Sequence, residues 1–279
     1  MTTTMDGPAV DRELLDFAVS VAGRAGALSA EMFFAGAPST LKPDGTEVTD
    51  ADLAVEDLIR AELGRYAPDD GILGEEAGES PGSSGRRWIT DPISGTAYFS
   101  RRMPLFANLL AYEDEYGPAI GVINMPVQRE LVFAARGLGC WVLAGPTDDV
   151  TAARRTRVGG RTRLDGALTL AMNQHTWSEE LLVALHRRVA VVGAIHHVAV
   201  HLVTGRADAA VITGQGYDDL APLPVILREA GGRVTDLDGA PVLTGDGSVL
   251  ATNGALHGEF LGLVAGLPRA GRPKALSRE

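Results

Sequence analysis

The sequence holds a single cysteine, Cys140. One thiol excludes an internal disulfide and a thiolate metal cluster, which suits a reducing cytoplasm. Beside Trp141 it reads as a small apolar residue rather than a nucleophile. Basic residues are scarce, 25 against 36 acids, and the net charge is −11. That balance argues against nucleic acid or an anionic membrane as a general partner, because nothing offsets phosphate repulsion over most of the surface. Long apolar runs are missing too: none reaches the roughly 18 residues of a membrane span. Met1 to Val10 lacks the basic-then-apolar pattern of a signal segment, so the expected location is cytoplasmic. No internal repeat or heptad pattern is visible. What remains is 279 residues with 45% hydrophobic composition, enough for one large domain or two intimately packed ones.

The most informative stretch is Trp88-Ile89-Thr90-Asp91-Pro92-Ile93-Ser94-Gly95-Thr96-Ala97-Tyr98-Phe99. It reads as an apolar strand that delivers a carboxylate, turns, and opens a helix. Pro92 fixes φ and Gly95 permits a tight bend, so Asp91 and the backbone N–H groups after Ser94 can face one point. An N–H array attracts anions while Asp91 repels them, a conflict that a cation beside a phosphate resolves. The alternative is an ordinary strand–turn–helix corner with Asp91 as a cap.

In chain order, apolar residues from Leu14 to Ala25 recur at helical spacing, predicting an amphipathic helix from Asp11 to about Phe34. Lys42 to Thr46 forms a turn, and Thr49-Asp50-Ala51-Asp52 leads into a second helix that Thr49 can cap. The two acids there also read as charge complementing a helix N-terminus. Ile72 to Glu76 is expected to be a short buried strand ending in two acids that point to opposite sides. Gly78 to Arg87 reads as a surface loop. Leu105 to Tyr112, Ala119 to Asn124, Glu130 to Ala135 and Cys140 to Leu143 form an antiparallel meander.

Composition shifts to Thr, Gly and Arg between Gly145 and Asp165, which divides the chain into an N-terminal lobe, 1–145, and a C-terminal lobe, 146–279. Arg154, Arg155, Arg157, Arg161 and Arg163 read as a solvated loop or partner contact, with an anionic-substrate role as the alternative. The second half alternates strand and helix: strands at Ala167 to Met172, Val189 to Val192 and Ala209 to Ile212, helices at Ser178 to Arg188 and His196 to Val203. Asp219 begins a helix running to Glu229, followed by strands at Arg233 to Asp236 and Val249 to Thr252 and a last helix from His257.

Glu75, Asp91 and Asp219 each stand where a strand or loop ends, and Asp52 opens a helix. If they converge without a cation, each pair about 4 Å apart costs about 4 kcal/mol at an effective dielectric near 20. Oxygen ligands without Cys or an obvious His point to Mg²⁺, with Mn²⁺ as a second candidate, rather than Zn²⁺. Such a cation acidifies water and neutralises phosphate oxygens, while Thr96 and Asp52 orient and deprotonate the water, so the expected class is phosphoryl transfer to water.

Gly74-Glu75-Glu76, the Trp88 to Phe99 corner, Asp219 with Glu229-Ala230-Gly231-Gly232, and the Lys42 to Glu56 segment together resemble the inositol monophosphatase-like superfamily of metal-dependent phosphatases. The resemblance runs from about residue 11 to the end. Pro104 to Gly139 and Ala251-Thr252-Asn253-Gly254 look most like its bacterial histidinol-phosphate phosphatase branch. It implies an α/β, layered αβαβα sandwich with a mixed, largely antiparallel N-terminal sheet and a smaller C-terminal α/β lobe. It further implies Mg²⁺ dependence, Li⁺ sensitivity, a homodimer and a small phosphorylated metabolite as substrate. Carried over by position, Glu75, Asp91, the Ile93 carbonyl and Asp219 are metal ligands, and Thr96, Asp52 and Glu76 are catalytic candidates. Lys42, Ser94, Gly95, Thr96 and His196 fall on the substrate side.

Three departures stand out. Ser94 occupies the place of the family's second corner acid, which weakens or removes one metal site. Ala194-Ile195 replaces the usual Gly-Asp of the substrate lobe, and Asp218 stands where an aromatic residue precedes the last metal acid. His196, His197 and His201 lie near the altered substrate position; satisfied histidines and a replacement ligand or general acid are both open readings. Lys42 reads equally as a phosphate ligand or an exposed turn lysine. Two functions follow: a phosphomonoesterase with an impaired second metal site and a substrate unlike inositol phosphate or histidinol phosphate, or a degenerate member that binds a ligand or partner protein without hydrolysis.

Overall fold

Helix α1, Arg12–Ala35, starts where the Asp11 carboxylate accepts the Glu13 N–H and stops where Gly36, at φ 92°, returns its N–H to Met32 O. This is the first element of a computed structural model that describes residues 7–43, 45–145, 149–193 and 197–269. A small hairpin follows, β1 Ser39–Leu41 and β2 Glu47–Thr49, where the sequence suggested only a turn. It delivers Thr49 as the N-cap of α2, Asp50–Tyr66.

The main sheet contains β3 Gly71–Gly74, β4 Gly78–Ser80, β5 Arg87–Ser94, β6 Ala107–Asp114, β7 Gly117–Met125, β8 Glu130–Ala135, β9 Gly139–Ala144 and β10 Arg154–Arg155. Its eight strands lie in the order β10-β9-β8-β7-β6-β5-β3-β4, antiparallel throughout except for the parallel pair β3 and β5. Alternation along the strands sends Trp88, Leu110, Tyr112, Ile120 and Val122 to the face covered by α1 and α2, and Leu109, Ile123 and Val132 to the opposite face. Between β5 and β6 the corner inserts α3, Thr96–Ser100.

The second sheet has five strands in the order β12-β11-β13-β15-β14, from β11 Leu168–Ala171, β12 Ala190–Gly193, β13 Ala209–Ile212, β14 Arg233–Thr235 and β15 Val249–Thr252. It is parallel across β12, β11 and β13 and antiparallel at β15. Helices α5 Val198–Val203 and α7 Leu223–Glu229 fill the space between the two sheets, packed with Leu109, Ile123, Ala210 and Ala251. Helices α4 Glu179–His186 and α8 His257–Val264 cover the outer face through Leu181, Leu185, Phe260 and Val264. The layers therefore run helix, sheet, helix, sheet, helix, as the resemblance implied. The close approach of α7 to the main sheet needs Gly121, where a Cβ would meet Pro222 O at 2.5 Å.

Several local expectations are corrected. The strand expected to reach Glu76 ends at Gly74, so both acids sit in the turn that leads to β4. The loop from Gly78 to Arg87 holds β4 and the first residue of β5. The helix expected from Asp219 to Glu229 is two helices, α6 Tyr217–Leu220 and α7, because Pro222 has no N–H to continue the ladder and instead opens α7. Strand β6 begins and ends two residues later than expected, at Ala107 and Asp114. Among the described residues no helix is long and apolar enough to cross a membrane.

Candidate active site

Parallel pairing brings the first two acids together. Gly74 lies opposite Thr90, and Glu75 donates its N–H to Thr90 O at 3.2 Å, so Glu75 leaves β3 beside Asp91 of β5. Asp91 still pairs with Leu109, but the register shifts before Ser94 pairs with Ala107. Pro92 lies in that bulge, and its carbonyl accepts the Asn108 side-chain N–H at 2.6 Å. Gly95 then turns the chain at φ 102° into α3, a conformation that strains any residue with a Cβ.

The second helix brings another part of the site. Asp52 Oδ2 accepts the Thr49 N–H at 2.8 Å and the Thr49 hydroxyl at 2.5 Å, closing a capping box. Its other oxygen accepts the Thr96 hydroxyl at 2.9 Å, and Ile93 O lies 3.1 Å from the same hydroxyl. Burial raises the Asp52 carboxyl above its ordinary range, opposed by the bonds from Thr49 and Thr96.

Asp219 arrives on α6. Its Oδ1 accepts the Ser94 hydroxyl at 2.9 Å and its Oδ2 the Gly216 N–H at 3.3 Å. Asp218, one residue earlier, joins the same corner: carboxylate oxygens of Glu75, Asp91 and Asp218 all lie within 4.8 Å of one another. Asp91 is 2% exposed and its Oδ1 has no hydrogen-bond partner among the described residues. Its carboxyl is held well above the usual range, first by burial and then by the charges of Asp219, Glu75 and Asp218. Burial and the charges of Glu76 and Asp218 push Glu75 up to about 7, against the pull of Lys42. Burial, with the neighbouring Asp218, also raises Asp219. A buried acid left without a donor is costly, and an all-carboxylate donor set of this kind fits a hard divalent cation.

Lys42 is the one ammonium set directly against the corner among the described residues. Its Nζ stands 3.3 Å from Glu75 Oε1 and 2.7 Å from Glu76 Oε1. It bridges the two acids that the sequence reading had sent to opposite sides. Glu76 is thereby tied to Lys42, away from the cluster of Glu75, Asp91 and Asp218. His196 and Ala194-Ile195 lie outside the described residues. His197 is buried at the start of α5 and lines a crevice that also borders Asp219, whereas His201 faces Arg206 and Glu130.

Two supporting groups escaped the sequence reading. Glu56, one helical turn beyond Asp52, accepts the N–H groups of Glu76 and Ala77 at 2.8 and 3.0 Å and the Arg60 Nε at 2.8 Å, fixing the acidic turn. The position of Glu56 four residues after Asp52 was its only signal. Tyr217 donates its hydroxyl to Glu113 at 2.5 Å and accepts from Arg87 at 2.8 Å, which pins α6 to the main sheet. Nothing local in the sequence links residues so far apart.

Comparison with known proteins agrees with this geometry. The family model described as the inositol monophosphatase family matches residues 11–268. A histidinol-phosphatase of Mycobacterium tuberculosis is 38% identical over 228 residues, covering 79% of this chain and 85% of its own. An inositol-1-monophosphatase of Mesorhizobium japonicum is 34% identical over 235 residues, covering 80% and 84%. The crystal structure of the extragenic suppressor protein suhB from Bartonella henselae superposes with a TM-score of 0.79 at 26% identity, over 90% of this chain and 98% of that one. With its layers, its acidic corner and a match along nearly its whole length, the chain belongs to the inositol monophosphatase family.

Proposed function

We propose that the protein is a Mg²⁺-dependent phosphomonoesterase acting on a small phosphorylated metabolite, with Mn²⁺ as an alternative cation. The observation that carries this reading is the buried Asp91 carboxylate, whose Oδ1 has no hydrogen-bond partner, set among Glu75 and Asp219 and next to the Thr96–Asp52 pair. Glu75, Asp91, the Ile93 carbonyl and Asp219 hold the cation. A bound divalent ion neutralises phosphate oxygens and lowers the pKa of a water. Asp52 accepts the Thr96 hydroxyl proton, which leaves the Thr96 oxygen free to take a proton from the attacking water and pass it on. The Thr49 cap keeps Asp52 aimed while it does so. Lys42, Ser94, Gly95 and Thr96 face the phosphate, His196 is assigned to substrate binding from sequence alone, and Glu76 holds Lys42 in place.

The two most relevant substrate types are those named for the relatives, histidinol phosphate and inositol phosphate, and the altered Ala194-Ile195 segment supports a substrate unlike both. The reading also takes the division into lobes 1–145 and 146–279, a cytoplasmic location on the reduced, buried Cys140, and a homodimer. A second reading is favoured by one specific contact: Ser94 Oγ occupies Asp219 Oδ1, where the family carries a third acid. In that reading the cleft binds a small ligand or partner protein without hydrolysis. A panel of phosphomonoesters assayed with Mg²⁺ and with Mn²⁺ separates the two. Phosphate release that disappears in Asp91→Asn supports the enzyme, and release no higher than in that variant leaves the binding protein.

A further inference from the structure

The acid missing at Ser94 has a counterpart elsewhere in the corner. We propose that Asp218 is a ligand of the divalent cation, sharing it with Glu75 and Asp91, and so replaces the carboxylate that the corner lacks at position 94. This rests on the reading of the corner as a cation centre, but not on phosphate hydrolysis.

Asp218 and Asp219 are consecutive on α6, and the charges of both bear on Asp91. Asp219 faces Ser94 and the Gly216 N–H. Asp218 places a carboxylate oxygen within 4.8 Å of oxygens of Glu75 and Asp91. Independent of that clustering, Asp91 Oδ1 is buried without a donor. A cation among the three acids supplies what that oxygen lacks. Lys42 forms its ion pairs with Glu75 and Glu76 and gives Asp91 Oδ1 no hydrogen bond. Gly216 lies close beside the same carboxylate, a Cβ there coming within 2.5 Å of Asp218 Oδ1. Where an aromatic side chain stood at 218, this fourth carboxylate would be gone. The exchange of an acid at 94 for one at 218 keeps the number of carboxylates around Asp91 unchanged while moving one of them across the corner.

The test is titration of the metal-free, full-length protein with Mn²⁺ alone, following free Mn²⁺ by electron paramagnetic resonance. Asp218→Asn should weaken the tightest site about tenfold or more. Adding Ser94→Asp to that variant should recover most of the loss, because it restores an acid on the other side of Asp91. Wild-type affinity in Asp218→Asn overturns the proposal, and so does a loss that Ser94→Asp does not recover. Melting curves of both variants without metal show whether each is folded. Phosphate release measured on the same samples keeps the two readings apart. Mn²⁺ binding that depends on Asp218 without any release removes the phosphatase and leaves the ligand, whereas release with Asp218-independent binding does the reverse.

Discussion

At the scale of single residues, Asp91 concentrates the cost of the site. Its carboxylate is buried, lacks a donor at Oδ1 and faces other acids, so in the absence of a cation it opposes folding. Asp91→Asn should therefore abolish Mg²⁺-dependent phosphate release and also raise the melting temperature of the protein in EDTA. Relief of about 1–3 kcal/mol is the scale for one such group, and each kcal/mol moves the midpoint of a chain this size by about 2–4 °C. A melting temperature that falls in the variant would show that Asp91 is already satisfied. Asp91 was legible from sequence because Pro92 and Gly95 punctuate the chain on either side of the corner, and their effect on φ is local. Asp218 was not. Its neighbour Asp219 was aligned by spacing to Glu229-Ala230-Gly231-Gly232, and only the packing of α6 against the corner shows that Asp218 too comes within 4.8 Å of Glu75 and Asp91.

At the scale of elements, helix ends aim the reactive groups. The α2 cap uses one oxygen of Asp52 and leaves the other for Thr96. Thr49→Ala should cost about 0.5–2 kcal/mol of stability in a denaturant titration. It should also lower kcat with little change in KM, because Asp52 loses its anchor rather than any contact to substrate. An unchanged kcat would detach the cap from the chemistry. Helix α6 is held by the Tyr217 hydroxyl between Glu113 and Arg87. Tyr217→Phe leaves those partners a half-buried gap, so a loss of about 0.5–1.5 kcal/mol is expected, with weaker Mn²⁺ binding; full affinity would show that α6 is positioned by packing alone. Periodicity recovered α1, β8, β13 and β15 with close to their observed ends and α2 at its start, since their apolar faces repeat at 3.6 or 2 residues. It missed β4, a short polar strand held by its pairing with β3 and by Arg60. It also ran one helix through Pro222, although the missing N–H was a readable signal.

For the whole molecule, the layering follows from apolar alternation on two sheets whose inner faces share one helical layer. The register that joins Glu75 to Asp91, and the packing that carries α6 to the corner, are long-range facts that a linear pattern does not contain. Stability should depend on pH through buried histidines. His257, 1% exposed between the hydroxyls of Thr235 and Thr252, is lowered to about 4 by burial and by Arg233, and burial lowers His197 to about 3. An unfolded histidine takes its proton near pH 6.5. As pH falls below that value the unfolded chain gains protons that the folded chain refuses until about pH 4 at His257 and about pH 3 at His197, so these groups lose stability across those windows, up to about 1.4 kcal/mol per unit for each. The raised carboxyls of the corner act with the opposite sign in the metal-free protein, since protonation relieves them. Comparing urea midpoints of wild type and His257→Gln at about pH 7 and pH 4.5 isolates the histidine. The wild type should lose more stability on acidification than the variant, and equal losses would place the burden elsewhere.

The most direct measurement of the carboxylate corner as a cation centre is the anomalous difference density of a crystal grown with Mn²⁺, collected at the manganese edge. The expected result is a peak in contact with Asp91, with Glu75, Asp218 and Asp219 around it. An ordered corner with no peak, or manganese bound only at acids remote from Asp91, would contradict it.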